Sequence, residues 1–222
     1  MTNIFILGLS YANSTLQHLE SNQRLLAETM QDLKGSSELE VRAGYFGMCV
    51  RQSGVVWLCS SDHDGLARQI GYENDPLNLI GAAAKFKDDV LFSGLLFMVV
   101  ILAAVSTVLL ATFPGWHEEH DERTGSVVDV KPFPSRPVSQ VALAAAAIAA
   151  MQLVIASLWQ HVGAVGAAAM AESANYGNVV TDIGAAAMSM AWVGTVVETT
   201  IAIGLLVMIL SIIVLDRLTD ND

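Results

Sequence analysis

Three long apolar runs decide what environment this chain can fold in. They cover Val90–Phe113, Val138–Trp159 and Ala191–Leu215. Each holds about 20 or more mostly apolar residues, enough for a helix to cross a hydrocarbon core about 30 Å thick. In such a core every backbone group must find its partner inside the helix, so runs of this length predict spanning helices. Charged residues make up 15% of the chain, against about 25% in soluble domains. The sequence predicts an α-helical, multi-pass membrane protein, and its partner by composition is the lipid bilayer.

The polar remainder assigns the sides. The stretch 114–137 carries Arg123, Lys131 and Arg136, whereas 163–190 carries no Lys or Arg. The positive-inside bias places the first on the cytoplasmic side and the second outside. Arg217 puts the tail inside, and the N-terminal segment then falls outside, although Lys85 and Lys87 flank the first run on that side. The expected division is an external module at 1–89, a span at 90–113 and a cytoplasmic loop at 114–137. A span at 138–162, an external loop with a helical extension at 163–190, a span at 191–215 and a cytoplasmic tail at 216–222 follow. An external segment of this length calls for a leader or a preceding span. Ile4–Leu9 is too short for a leader core and has no basic residues before it. A fourth helix, upstream of this chain, is therefore expected.

The net charge is −11, and residues 1–89 hold 11 acidic against 7 basic side chains. Nucleic-acid binding calls for basic patches, so that partner class is excluded. Two further signals suit an external N-terminal module. Asn13-Ser14-Thr15 is an N-glycosylation sequon, and both cysteines of the chain, Cys49 and Cys59, lie in this segment.

Leu39–Val50 and Val55–Cys59 are rich in β-branched and aromatic residues, with Arg51-Gln52-Ser53-Gly54 between them as a turn. Paired as an antiparallel hairpin, they bring Cys49 opposite Cys59, within reach of a disulfide. Closing such a loop stabilises a small module by roughly 2.5 to 3 kcal/mol on the chain-entropy model. A small sheet with little core needs a staple of this kind.

Gly44-Tyr45-Phe46-Gly47-Met48-Cys49, followed by Cys59, resembles the claudin-superfamily pattern of glycine, two bulky apolar residues, glycine, any residue and cysteine, then a second cysteine. More specifically, the chain is similar to the fungal mating-induced Ca²⁺-regulator and membrane-fusion family. The opening Ile4–Tyr11 resembles the start of that family's first external loop, and the order of loops and helices matches over essentially the whole chain. The resemblance implies a claudin-like helical bundle, with three spanning helices here and a fourth N-terminal one missing. It also implies a small disulfide-stapled extracellular β-sheet. The implied function is plasma-membrane regulation of Ca²⁺ influx and of membrane or cell fusion during fungal mating or cell contact. The implied partners are a Ca²⁺ channel or other membrane proteins, or a second copy of the chain. A claudin-like scaffold that organises membrane domains without transport is the alternative. Compared with claudins, no Trp precedes Gly44, and Tyr45-Phe46 replaces Leu-Trp, so a tight-junction role is not implied.

Among single residues, Glu198 stands inside the third run. A carboxylate at membrane depth is costly and marks either function or the edge of an over-long helix. Asp62, Asp64, Glu73 and Asp75 follow the second cysteine and form either a solvated acidic loop or a weak Ca²⁺ site, since hard cations take oxygen ligands. His117-Glu118-Glu119-His120 lacks the spacing that sets two histidines one helical turn apart, and reads as an acidic patch. Gln152 and His161 read as interhelical or interfacial polar residues. No catalytic constellation and no cofactor motif can be made out, so the chain is not read as an enzyme. The alanines at 142, 144–147, 149 and 150 predict a closely packed middle helix, which Gly163 and Gly166 extend beyond the membrane. Pro132, Pro134 and Pro137 keep the second loop irregular. Thr15–Leu33 has the apolar spacing of an amphipathic helix, with Leu16, Leu19, Leu25, Leu26 and Met30 on its packed face.

Overall fold

The computed structural model describes residues 3–12, 21–53, 56–113, 117–120, 127–130 and 135–219. In chain order the elements are β1 (Leu7–Tyr11), α1 (Ser21–Lys34), β2 (Leu39–Gly44), β3 (Gly47–Gln52), β4 (Trp57–Ser60), α2 (His63–Ile70), α3 (Leu79–Val90) and α4 (Ser93–Ala111). They continue with β5 (His117–His120), β6 (Val127–Val130), α5 (Arg136–Ala174), β7 (Val179–Ile183) and α6 (Ala185–Thr219). Two compact units result, one from residues 1–93 with 156–192, the other from 94–155 with 193–222.

The first unit is built on a five-stranded antiparallel sheet in the order β4-β3-β2-β1-β7. Its strands form where apolar residues recur every second position. In β2, Leu39, Val41 and Ala43 are buried and the residues between them are half-buried. Ile6, Leu7, Leu9, Met48, Val50 and Val179 join them in one core. Helix α3 packs on β1, β2 and β3 and adds Leu79, Ile80, Ala83 and Phe86. Ala164 and Ala168 of α5 lie in the same core. Gly184, between β7 and α6, donates its N–H to the Ile6 carbonyl at 3.1 Å. A Cβ there would fall 1.7 Å from the Phe5 carbonyl oxygen, so only glycine lets the chain pass.

The second unit is helical. Ala142, Ala146 and Leu205 form its centre, surrounded by Leu109, Leu110, Phe113, Leu143, Ala202 and Met208. Alanine lets the α5 backbone come close to its neighbours, and close backbone approach is what packing in lipid rewards. Ser106 of α4 sits near enough to donate to the Ala142 carbonyl at 3.4 Å. Strands β5 and β6 pair as an antiparallel hairpin.

Among the described residues, three helices are long and apolar enough to cross a membrane: Ser93–Ala111, Arg136–Ala174 and Ala185–Leu215. Only 11% of the apolar window is buried in the first and third, against 39% in α5, which makes α5 the central helix. Its 39 residues amount to about 58 Å at 1.5 Å each, far more than a hydrocarbon core.

Several boundaries differ from the sequence reading. Leu39–Val50 is two strands rather than one, because the chain reverses at Tyr45-Phe46. The run from Val90 is broken at Leu91-Phe92, where the charge-bearing α3 ends and the uncharged α4 begins. Residues 163–190 hold a strand, β7, as well as the helical extension, and α6 begins at Ala185. The irregular loop 114–137 contains the β5–β6 pair. Of the predicted amphipathic helix, Ser21–Lys34 is helical, but it buries Ala27 and leaves Leu25, Leu26 and Leu33 exposed. Leu16, Leu19 and Asn13 lie outside the described residues. The turn before β4 is described as far as Ser53, and β4 starts at Trp57.

Candidate functional site

The Gly44–Gly47 motif makes a two-residue reversal, with Gly44 and Gly47 as the facing pair that closes β2 on β3. Gly47 is required by space: a Cβ there would lie 2.7 Å from the Ser60 carbonyl oxygen of β4. One strand further on, Cys49 faces Cys59 directly and the two are joined by a disulfide. The motif thus sets three strands at once, by turn, by close approach and by covalent bond.

The turn is also tied to a long helix. The Tyr45 hydroxyl donates to Gln160 Oε1 of α5 at 2.6 Å. Burial holds the Tyr45 phenol above its ordinary pKa, with the Gln160 hydrogen bond pulling the other way. Gln160 is buried, and its neighbour Trp159 meets Phe92 at 6.3 Å between ring centroids. His161 meets Trp192 edge-on at 6.4 Å. Aromatic side chains grouped at the end of an apolar run are what an interface belt consists of. Phe46, at the tip, is 60% exposed.

Beside the disulfide, Arg42 lies between the rings of Phe5 and Trp57, at 4.6 and 4.5 Å. Arg51 covers Trp57 as well, at 5.0 Å. Glu40 accepts from both guanidiniums. Each such stack adds about 0.5 to 2 kcal/mol, and together they tie Phe5, β2, β3 and β4 to one another. A cavity of about 240 Å³ lies here, between Ile4, Phe5, Arg42, Phe46 and Cys49.

The acidic residues after the second cysteine do not converge. Asp62 caps α2, accepting from Gly65 N–H at 3.1 Å. Asp64 is exposed and lies 3.4 Å from His63. Glu73 is exposed. Asp75 is buried and fully engaged: it accepts from the amides of Leu79 and Ile80 at the start of α3, at 2.7 and 2.9 Å, and from Tyr11 Oη at 2.9 Å. Among the described residues, no three His, Cys, Asp or Glu side chains come together to hold a metal.

In the helical unit, Glu198 is 9% exposed, and its Oε1 has no hydrogen-bond partner among the described residues. Gln152 Oε1 is in the same condition. About 20 residues cross the core. Counted from Arg136 forward and from Leu215 back, both residues lie within about one helical turn of the end of that length. Sequence reasoning found Glu198 because it interrupts an apolar run. It treated Gln152 as an ordinary interhelical group, and its unsatisfied oxygen was not foreseeable. Strand β7 was foreseeable: Val179-Val180-Thr181-Asp182-Ile183 has the β-branched content of a strand.

A membrane protein with three candidate spans, carrying a disulfide-stapled antiparallel sheet, is the class these features define. Residues 26–211 match the family described as Ca²⁺ regulator and membrane fusion protein Fig1. That is most of the chain, and the chain belongs to this family. The resemblance to the Ca²⁺-regulator and membrane-fusion family is thus borne out. The family is described as that of a regulator and fusion protein. No curated protein and no solved structure matches the chain.

Proposed function

We propose that this protein is a multi-pass plasma-membrane regulator of Ca²⁺ influx that promotes membrane fusion when fungal cells meet in mating. The family match carries this reading. In it, the stapled sheet is the external module and the β5–β6 segment is cytoplasmic. The order of elements is claudin-like, and Asn13 is a glycosylation acceptor.

The chain acts on Ca²⁺ entry by regulating rather than by conducting. A pore needs a polar face repeating along a helix. The polar side chains buried in the described spans are few and spread over three helices: Ser106, Ser139, Ser157, Gln160, Thr195 and Glu198. The stapled hairpin, tied through Tyr45 to α5, is the surface that meets a channel or a second copy of the chain. Glu198 is the intramembrane contact.

The test is Ca²⁺ uptake and cell fusion in fungal cells deleted for the gene and complemented with it. Restoration of both activities is expected. Restored fusion with Ca²⁺ uptake unchanged by deletion or complementation would instead favour the scaffold reading.

A further inference from the structure

Helix α1 keeps most of its apolar side chains out of the core of the sheet unit. Ala27 is fully buried, whereas Leu25, Leu26 and Leu33 are 71%, 46% and 58% exposed. Leu25, Thr29 and Leu33 stand four apart and form one row along the helix, with Leu26 beside it. Arg24, Glu28 and Asp32, all exposed, form the adjacent row. We propose that this face is a homotypic contact, packing antiparallel on α1 of a second copy held in an apposed membrane. The apposition rests on the reading of the sheet unit as the external module; the pairing does not.

Single exposed leucines need no explanation, but three in one stripe mark a contact surface. The protein's own bilayer is too far away to cover it. Asn178 Nδ2 donates to the Ala27 carbonyl at 3.1 Å and to the Asn175 carbonyl at 3.2 Å, which fixes α1 at the far end of α5. From Trp159, in the aromatic group, to Ala174, where α5 ends, is about 22 Å at 1.5 Å per residue. A helix that lies on lipid carries Lys and Arg along its polar face, whereas Glu28 and Asp32 border this stripe. The partner is therefore a protein, and the charges favour α1 itself. Antiparallel pairing sets each row against its own copy. Leu25 then meets Leu33, and Arg24 meets Asp32, at both ends of the contact. Glu28 meets its own equivalent at the centre, which is the one repulsive element. The 14 residues of α1 offer a face of about 21 by 12 Å, so two copies bury on the order of 500 Å². That is a weak contact, effective between membranes only through many copies at once.

The test mixes two colours of phosphatidylcholine vesicle, each carrying the full chain, and counts docked pairs. A fraction of the copies displays the sheet unit outward whatever its side in cells. Wild-type vesicles should dock. Leu25→Ser with Leu33→Ser, both at exposed positions, should lower docking about tenfold. Arg24→Asp on both colours, or Asp32→Arg on both, should lower it about fivefold. Arg24→Asp vesicles mixed with Asp32→Arg vesicles should recover it, which also shows that both variants fold. Glu28→Gln should raise docking about twofold. Absence of wild-type docking, docking indifferent to the leucine pair, or no recovery in the charge-exchanged mixture would overturn the proposal. Docking of wild-type vesicles on protein-free vesicles of phosphatidylcholine and phosphatidylserine would overturn it in favour of a lipid partner. Sidedness is read separately: Leu25→Cys should react with an impermeant maleimide in intact cells freed of their wall. No reaction there would overturn the external reading and the apposition with it, whereas lost docking with labelling intact would overturn the pairing alone.

Discussion

Two carboxylates of this protein are buried to nearly the same degree, and they could hardly be more different. Asp75, in the sheet unit, is 8% exposed, and Glu198, in the helical unit, is 9% exposed. Asp75 has three donors: two amides of α3 and the Tyr11 hydroxyl. Glu198 has an oxygen with no partner among the described residues. A buried charge is costly unless it is paired and hydrogen-bonded. Asp75 meets that condition with groups its own fold provides, so it is architecture. Glu198 does not, and a cost kept inside a spanning helix is a functional hypothesis by default. The same contrast runs through the two units. The sheet unit joins its strands by ladder bonds, a disulfide and capped helices. The helical unit packs alanine and exposes most of α4 and α6.

The largest effect expected is from the staple. Cys49→Ser should cost the sheet unit about 2 to 5 kcal/mol and leave the helices formed. Limited proteolysis in nanodiscs should show new cleavage within 1–93 or β7 and none within 94–155 or 193–219. Cleavage spread over both units would erase the distinction between them. Next is Asp75→Ala, which leaves two buried amides and the Tyr11 hydroxyl without their acceptor. A loss of about 2 to 3 kcal/mol is expected, seen as faster amide exchange at the start of α3. Unchanged exchange there would mean that Asp75 is not the anchor.

Tyr11→Phe is milder, about 1 kcal/mol, because it removes the acceptor of Leu77 N–H and one of three donors to Asp75. Tyr11 also gives the sheet unit a pH limit. Burial above all, and then the charge and hydrogen bond of Asp75, raise its pKa from 10.0, while the Leu77 amide opposes them. The unfolded chain then loses the phenolic proton at lower pH than the folded one does. Stability from this group is complete below about pH 10 and falls as the pH rises further. The wild-type sheet unit should therefore weaken above pH 10 in a thermal melt, and Tyr11→Phe should flatten that part of the curve. An identical alkaline slope in both would contradict the assignment.

How much of this could be read from residues alone depended on range. The spans were legible because each apolar run carries its own evidence. The disulfide was legible because ten positions of strand and turn separate the cysteines. The reversal at Tyr45-Phe46 was missed although it is local. A strand from Leu39 to Val50 would have been twice the usual length, and the paired glycines mark where it divides. The hold on Asp75 was not legible, because Tyr11 stands 64 residues away and the aspartate looked like one of four acidic loop residues. Glu198 was legible as an interruption, but its unsatisfied oxygen depends on what the other helices place around it.

The smallest effect on stability and the largest contrast in function should come from Glu198→Gln. A neutral amide of the same shape removes a buried, incompletely partnered carboxyl group, so the fold should change by less than about 1 kcal/mol or gain. The direct measurement is Ca²⁺ uptake in deleted cells carrying either Glu198→Gln or Asp75→Asn, at matched surface levels. The contrast predicts that Glu198→Gln alters uptake although it is folded and delivered normally. It also predicts that Asp75→Asn changes uptake only as far as it lowers the amount of folded protein. Wild-type uptake with Glu198→Gln, or a loss per folded molecule with Asp75→Asn, would contradict it.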